Sequence, residues 1–267
     1  MQAVRRYAEE FLWRLGLSKA TGPLWELLRG GNAAQQTRRM KEFYASLLPK
    51  GSLVFDIGAN VGTMTQVFAS VGARVVAVEP NPDCARHIER ITPRQTVEVL
   101  QSAVGATDGL AKLKVSDRKD KMSSLSSEWC EAVSRQNPDY AGMWKRELTV
   151  PTTTLDLLIA RYGTPFYIKI DVEGYEAEVL CGLSCLPPLL SFEFNKVFLE
   201  PALKALDKPM FDGASFNLTL VDPVKFELSD WIGRDELKTM LGERVDLGVG
   251  DIFVRNCNSP VDSSPAF

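Results

Sequence analysis

Two groups of residues in this chain have the types and spacing to do chemistry. The first is Asp56-Ile57-Gly58-Ala59-Asn60-Val61-Gly62, with Glu79 behind it. Glycines at both ends of a strand-to-helix turn let a ligand press against bare backbone, and an acidic residue about 20 positions further on can accept hydrogen bonds from ribose hydroxyls. The dinucleotide pattern asks for Gly-x-Gly-x-x-Gly, so that a pyrophosphate can rest on the first helical turn. Here Asn60 stands where a middle glycine would, and asparagine tolerates the left-handed backbone of a tight turn. Asp56 would repel a phosphate and attract an ammonium group. A ligand with an amino acid at one end and a nucleoside at the other fits that polarity, and S-adenosyl-L-methionine is such a ligand.

The second group is Lys169-Ile170-Asp171-Val172-Glu173-Gly174-Tyr175-Glu176, where charges interrupt what should be a central strand. Alternation puts Lys169 and Asp171 on one face. A buried ammonium without a partner is costly, so Lys169 must find a carboxylate, and Asp171, Glu173 and Glu193 at neighbouring strand ends are available. An ion pair holding strand to helix would account for Glu173 and Glu176 equally well, with Glu176 favouring the positive start of its helix. The catalytic reading gives Asp171 or Glu193 the proton of an acceptor hydroxyl, with Lys169 orienting that carboxylate or stabilising the developing alkoxide. These carboxylates would also suit Mg²⁺, a hard ion that prefers oxygen ligands, although no metal ligand is assigned. The one histidine, His87, follows Glu79 on a helix and is expected at the surface.

The elements that must position these groups are readable from hydrophobic pattern. Leu53–Ile57 is an apolar run fit for a strand of a parallel sheet, Thr63–Ser70 reads as a helix, and Ala73–Val78 is a second strand ending in Glu79. Val97–Leu100 gives a third, with Ser102-Ala103-Val104 at its carboxyl end, where ligands of such sheets collect. Leu110–Val115 and Leu148–Thr152 read as strands, and Leu155–Tyr162 as a helix entered through Thr153 or Thr154. Phe166–Ile170, the helix Tyr175–Leu183, Leu189–Phe194, the helix Val197–Leu206, Phe216–Val221 and Asp251–Val254 complete a doubly wound α/β order. Ser116–Arg146 reads as a long irregular connection whose aromatics, Trp129, Tyr140, Met143 and Trp144, are candidates for a lid over an acceptor.

Residues 1–48 read as an N-terminal helical extension: a first helix carrying Val4 to Leu15, a short second one around Pro23, and a third capped near Asn32 with Met40, Phe43 and Leu47 on one face. Packing on its own domain is the expected fate, with a membrane surface or a dimer seam as alternatives. The main domain would then be 49–257, with 258–267 a loose tail.

Composition narrows the classes. Across 267 residues, 45% hydrophobic and 24% charged content are those of a globular chain. A net charge of −3 argues against a sequence-independent grip on nucleic acid. No apolar run reaches a membrane-spanning length and no leader pattern is seen, so a cytoplasmic location is expected. Five irregularly spaced cysteines with one histidine make a zinc site unattractive; reduced, mostly buried thiols are expected, with Cys181 and Cys185 on one helix face.

Taken together, Asp56 to Gly62, Glu79-Pro80-Asn81-Pro82, Thr154-Leu155-Asp156 and Lys169 to Glu176 resemble the FkbM family of S-adenosylmethionine-dependent methyltransferases. The resemblance takes in Ala103-Val104-Gly105, Ser123-Ser124-Leu125 and Ser191-Phe192-Glu193, and leaves out the N-terminal extension and the region beyond about 205. It implies a class I methyltransferase fold, a Rossmann-like, mostly parallel seven-stranded sheet with helices on both faces and its last-positioned strand antiparallel. It also implies O-methylation of a hydroxyl on a small molecule, a sugar or glycan, a lipid-linked acceptor or a secondary metabolite. Cofactor contacts carry over to Asp56, Gly58, Asn60, Gly62, Glu79 and Asp171, with Ala103 and Val104 near the adenine. Lys169, Asp171 and Glu193 are the catalytic candidates, and Ser123, Ser124, Glu173 and Trp129 the acceptor-side ones. A nicotinamide-dependent oxidoreductase and a non-catalytic module that keeps the fold are the competing readings.

Overall fold

A computed structural model describes residues 32–116, 123–136, 142–196, 198–220, 224–244 and 246–257. The first two expected helices, Tyr140 and the tail 258–267 lie outside these residues. The chain divides into two compact units, Met1–Arg39 and Met40–Phe267. In the first unit the described residues are the opening turns of helix α1 (Asn32–Leu47).

In the second unit, a seven-stranded sheet is built from β1 (Leu53–Ile57), β2 (Arg74–Val78), β3 (Val97–Leu100), β8 (Tyr167–Ile170), β9 (Leu189–Asn195), β10 (Ser215–Leu220) and β11 (Val249–Arg255). Their order is β3-β2-β1-β8-β9-β11-β10, and β11 alone runs against its neighbours. This is the class I arrangement, a doubly wound α/β fold. The antiparallel strand is last in sequence but second from the edge in space, inserted between β9 and β10.

Period-two alternation explains the two cores. Phe55, Ile57, Ile168, Ile170, Leu190 and Phe192 face one side, beneath α5 (Leu155–Tyr162), α6 (Glu176–Cys181), α7 (Glu200–Leu206) and α8 (Arg234–Glu243). Val54, Val75, Tyr167 and Phe253 face the other, against α2 (Thr63–Ser70), α3 (Pro82–Ile91) and the last two turns of α1. There Met40, Phe43 and Leu47 are buried as their spacing predicts, and Phe43 and Tyr44 set their rings edge-on to Phe253 at 5.9 Å and Phe68 at 4.9 Å. Such contacts contribute about 0.5–1.5 kcal/mol each beyond area burial. The carboxyl-terminal part of the expected extension is therefore core of the main unit.

Local signals set the helix starts. Asn81 caps α3, its side chain accepting from the Asp83 N–H at 3.0 Å with Pro82 in the first turn. Thr154 does the same for α5 at 3.2 Å to the Leu157 N–H. Other elements depart from the sequence reading. The 116–146 segment is not one irregular connection: it contains β6 (Ser123–Ser124) and α4 (Ser127–Gln136). With β4 (Ala103–Val104), β5 (Gly109–Val115) and β7 (Arg146–Thr153), β6 forms a second sheet of order β4-β7-β5-β6. Helix α7 starts at Glu200, after a bridge between Asn195 and Phe198. Helix α6 ends at Cys181, so Cys185 shares no helix with it, and Cys181, Cys185 and Cys257 are exposed, not buried.

Candidate functional site

The carboxyl ends of β1, β2, β8 and β9 open onto a cleft with about 780 Å³ of empty space, open solvent at its mouth included, and with the small sheet as its side wall. Its two halves are held in different ways.

The first half is locked by backbone. Gly58 has φ 79°, and a Cβ there would lie 1.8 Å from the carbonyl oxygen of Asp171. The ends of β1 and β8 touch only because residue 58 has no side chain. Asn60 adopts the left-handed conformation its type allows, at φ 51°. Its N–H donates to Glu79 Oε2 at 2.7 Å, while the Asn81 N–H donates to Oε1 at 2.8 Å. Glu79 thus fastens two turns and forms part of the lining. Burial pushes its pKa up to about 7 against the pull of those two donors. Gly62, at φ 79°, opens α2 against Ile88, whose Cγ1 would stand 3.0 Å from an added Cβ. It lies behind the cleft, as does Asp56.

Asp56 is 1% exposed and takes the Thr65 hydroxyl on Oδ2 at 2.5 Å. Across the β1–β8 register it stands beside Lys169. Burial raises its pKa to about 6, with Lys169 and Thr65 opposing. Ala103, Val104 and Ser102 supply one side of the cleft, and Leu113, Ser123, Ser124 and Leu125 continue it along the small sheet. Ser124 is a tie: its hydroxyl donates to the Glu173 carbonyl at 2.7 Å and accepts from the Ser126 N–H at 2.9 Å.

The second half is crowded with carboxylates. Lys169 Nζ lies 2.6 Å from Asp171 Oδ2, the lysine 4% and the aspartate 36% exposed. Burial alone would pull the lysine's pKa down, but Asp171, Asp251 and Asp56 together hold it well above the usual value. The strand-end charge thus finds the partner alternation named. Beyond Asp171 the chain makes a left-handed pair, Glu173 at φ 57° and Gly174 at φ 87°. Glu176 Oε1 accepts from the Val172 and Gly174 N–H groups at 3.2 Å each, so its carboxylate closes this turn; burial raises it to about 7. The Glu173 and Glu193 side chains line the cleft and make no hydrogen bond among the described residues. Burial, then neighbouring carboxylates led by Asp171, push both well up.

Trp129 is not a lid. It is 3% exposed, stands edge-on to Trp144 at 5.6 Å, and packs on Gly174 so closely that an added Cβ would meet its Cδ1 at 2.5 Å. It braces the Glu173–Gly174 turn from behind. Met143 is buried too, and His87 is exposed as expected.

Asp251, 8% exposed, is the residue sequence reasoning missed as part of the site. An acidic side chain inside an otherwise apolar strand was its only signal. Among the described residues, no group of three or more His, Cys, Asp or Glu is arranged to hold a metal ion, and no helix is long and apolar enough to cross a membrane. Among the described residues the cleft lining includes Glu79, Asp171, Glu173 and Glu193 and no lysine or arginine.

Comparison with known proteins places these features. The chain is 28% identical over 136 residues to the hexuronic acid methyltransferase AglP of Haloferax volcanii, covering 49% of this chain and 50% of that one. It is also 28% identical over 123 residues to the ribosomal RNA large subunit methyltransferase E of Archaeoglobus fulgidus, covering 45% and 55%. The match thus spans about half the length of these curated relatives. The crystal structure of a methyltransferase FkbM from Methylobacillus flagellatus superposes with a TM-score of 0.46 at 14% identity, over 78% of this chain and 45% of that one; so distant a likeness carries no argument. Residues 56–208, more than half of the chain, match the methyltransferase FkbM domain, and the chain belongs to that family.

Proposed function

We propose that the chain is an S-adenosyl-L-methionine-dependent O-methyltransferase acting on a hydroxyl of a sugar, glycan, lipid-linked acceptor or other small molecule. The observation that carries this reading is the cleft's charge. Among the described residues, a lining with four acidic side chains and no lysine or arginine suits a ligand bearing ammonium and sulfonium groups, and repels a pyrophosphate. This disfavours a nicotinamide dinucleotide, which would meet Glu79 and the acidic far end with no cation among the described lining residues to hold it.

The residues present fit the cofactor. The bare backbone at Gly58 and the turn at Asn60 leave room at the β1 end, Glu79 stands where ribose hydroxyls would be met, and Ser102 to Val104 flank the adenine position. When bound, the cofactor supplies an electrophilic methyl group on sulfur. Asp56, behind the turn, holds α2 through Thr65 and adds negative potential. At the far end Asp171, 36% exposed, is oriented by Lys169. A carboxylate so held can take the proton of an acceptor hydroxyl as the new bond forms, worth about 10²–10⁴ in rate. Glu193 stands beside it on the lining as the other candidate base. The turn Glu173–Gly174, braced by Trp129 and Glu176, shapes the acceptor side.

The hexuronic acid named for one relative supports a sugar hydroxyl as acceptor. The ribosomal RNA named for the other finds no counterpart in a cleft whose described lining has no cationic side chain, nor in a net charge of −3. The test is calorimetry of the purified chain with S-adenosylmethionine and with NAD, followed by incubation of labelled cofactor with hydroxylated acceptors. Binding of NAD in preference would overturn the reading. Tight cofactor binding without label transfer to any acceptor would leave a binding module.

A further inference from the structure

The face of the main sheet that carries Val54 and Phe253 also carries polar residues on adjacent strands: Asp56 on β1, Lys169 on β8, Ser191 and Glu193 on β9, Asp251 on β11 and Thr219 on β10. Within this stripe Glu193 and Asp251 are direct register partners across β9 and β11. Directly opposed residues of antiparallel strands hold their Cβ atoms about 5 Å apart, and like charges so placed repel. Neither carboxylate makes a hydrogen bond to another described residue. On its other side Asp251 faces Thr219, fully buried, whose hydroxyl makes none either. Two ionised carboxylates cannot stand together in such surroundings.

We propose that Asp251 is a positioning residue for methyl transfer: Glu193 and Asp251 share one proton, Lys169 keeps the charge on Asp251, and Glu193 meets the acceptor hydroxyl as a neutral carboxylic acid while Asp171 takes the proton. The inference rests on the methyltransferase reading and decides between its two candidate bases. The groups around the pair assign the proton. Burial and then Asp171 push the Asp251 carboxyl up, but Asp251 has the Lys169 ammonium among its neighbours to pull it down, with Tyr167 on β8 and Tyr44 on α1 nearby. Glu193 faces Asp171 just beyond β8, Glu173 in the turn, Glu176 on α6 and Asp251 on β11, all acidic. The proton therefore resides on Glu193. Asp171, paired with Lys169 and open to solvent, is placed to receive the proton that leaves the acceptor; Glu193 keeps its own.

Carboxyl-labelled glutamate and aspartate in the full-length chain, titrated by ¹³C NMR without any cofactor, tests this, with Glu193→Gln identifying the Glu193 signal. The expected result is a Glu193 midpoint well above those of the surface glutamates. Asp251→Asn should bring it down by about one pH unit or more, as for any strongly coupled pair. A Glu193 that titrates with the surface glutamates, or whose midpoint ignores Asp251→Asn, overturns the proposal. Should that variant fail to fold, the order of ionisation in the unchanged chain decides: the Asp251 midpoint must lie below that of Glu193, and an Asp251 that ionises after Glu193 overturns the proposal equally. Because no cofactor enters the titration, its outcome is independent of the calorimetry that tests the methyltransferase reading.

Discussion

The two halves of the cleft solve the burial of carboxylates in opposite ways. At the end of β1 and β2 each buried acid is answered: Asp56 by the Thr65 hydroxyl, Glu79 by the N–H groups of Asn60 and Asn81. At the ends of β8 and β9 a single ammonium, Lys169, stands among Asp171, Glu173, Glu193 and Asp251, and only Asp171 is in contact with it. The first half is rigid and built by geometry. The second stores electrostatic tension that a cationic ligand would relieve. Hydrogen-bonded acids shape a site, whereas unanswered ones are free to exchange protons with what enters it.

That contrast can be broken from either side. The largest effect is expected at Gly58→Ala, where the new Cβ would collide with the Asp171 carbonyl at a backbone angle that suits glycine. It should cost about 3 kcal/mol or more in thermal unfolding and abolish cofactor binding by calorimetry. If binding survives, the β1–β8 junction is not the rigid floor described. Next is Asp171→Asn, expected to lower label transfer by about 100-fold or more with cofactor affinity nearly unchanged. Loss of affinity would move Asp171 into the rigid half.

The pH dependence of stability sharpens the comparison further. Asp56 at about 6, Glu79 at about 7 and Glu176 at about 7 hold protons in the folded chain that the unfolded chain has lost. Their contribution to stability is therefore full below about pH 4 and is lost as pH rises through about 7, with Glu173 at about 8 extending the fall. Thermal melts across that window should show the fall, and Glu173→Gln should flatten it, because one repelling carboxylate is gone. A rise of melting temperature over the same window would contradict the charge crowding. The smallest expected effect is Thr65→Val, which removes the one side-chain hydrogen bond to Asp56 and should cost about 1–2 kcal/mol by denaturant unfolding. A neutral result would mean that Asp56 is satisfied some other way.

The backbone-built half was the more legible in sequence. Leu53–Ile57, Thr63–Ser70 and Leu155–Tyr162 form at the residues the pattern names, and Asn60 adopts the left-handed turn its type suggests. These depend on neighbours within a few residues. Alternation likewise foretold that Lys169 and Asp171 share a face. Of the small sheet, β5 and β7 were legible but β6 was not, because a two-residue strand such as Ser123–Ser124 has no period to read and exists only through pairing with Lys114 and Val115. Helix α8, absent from the sequence reading, is held by Leu237 and Leu241 packing into the core under β10. Trp129 read as an acceptor lid because an aromatic in a polar stretch has two fates, and only the bare Gly174 opposite it decides for burial.

By itself, then, the sequence determined the strand–turn–helix units, the side of each strand its charges occupy, and the glycines without which β1 could not meet β8. Those are consequences of backbone sterics and period-two geometry, which act locally. The fold alone decided that Asp251, some 80 residues from Lys169 and 58 from Glu193, comes to stand beside both. Whether a buried carboxylate keeps its charge depends on the groups that surround it, and in this chain those groups arrive on separate strands.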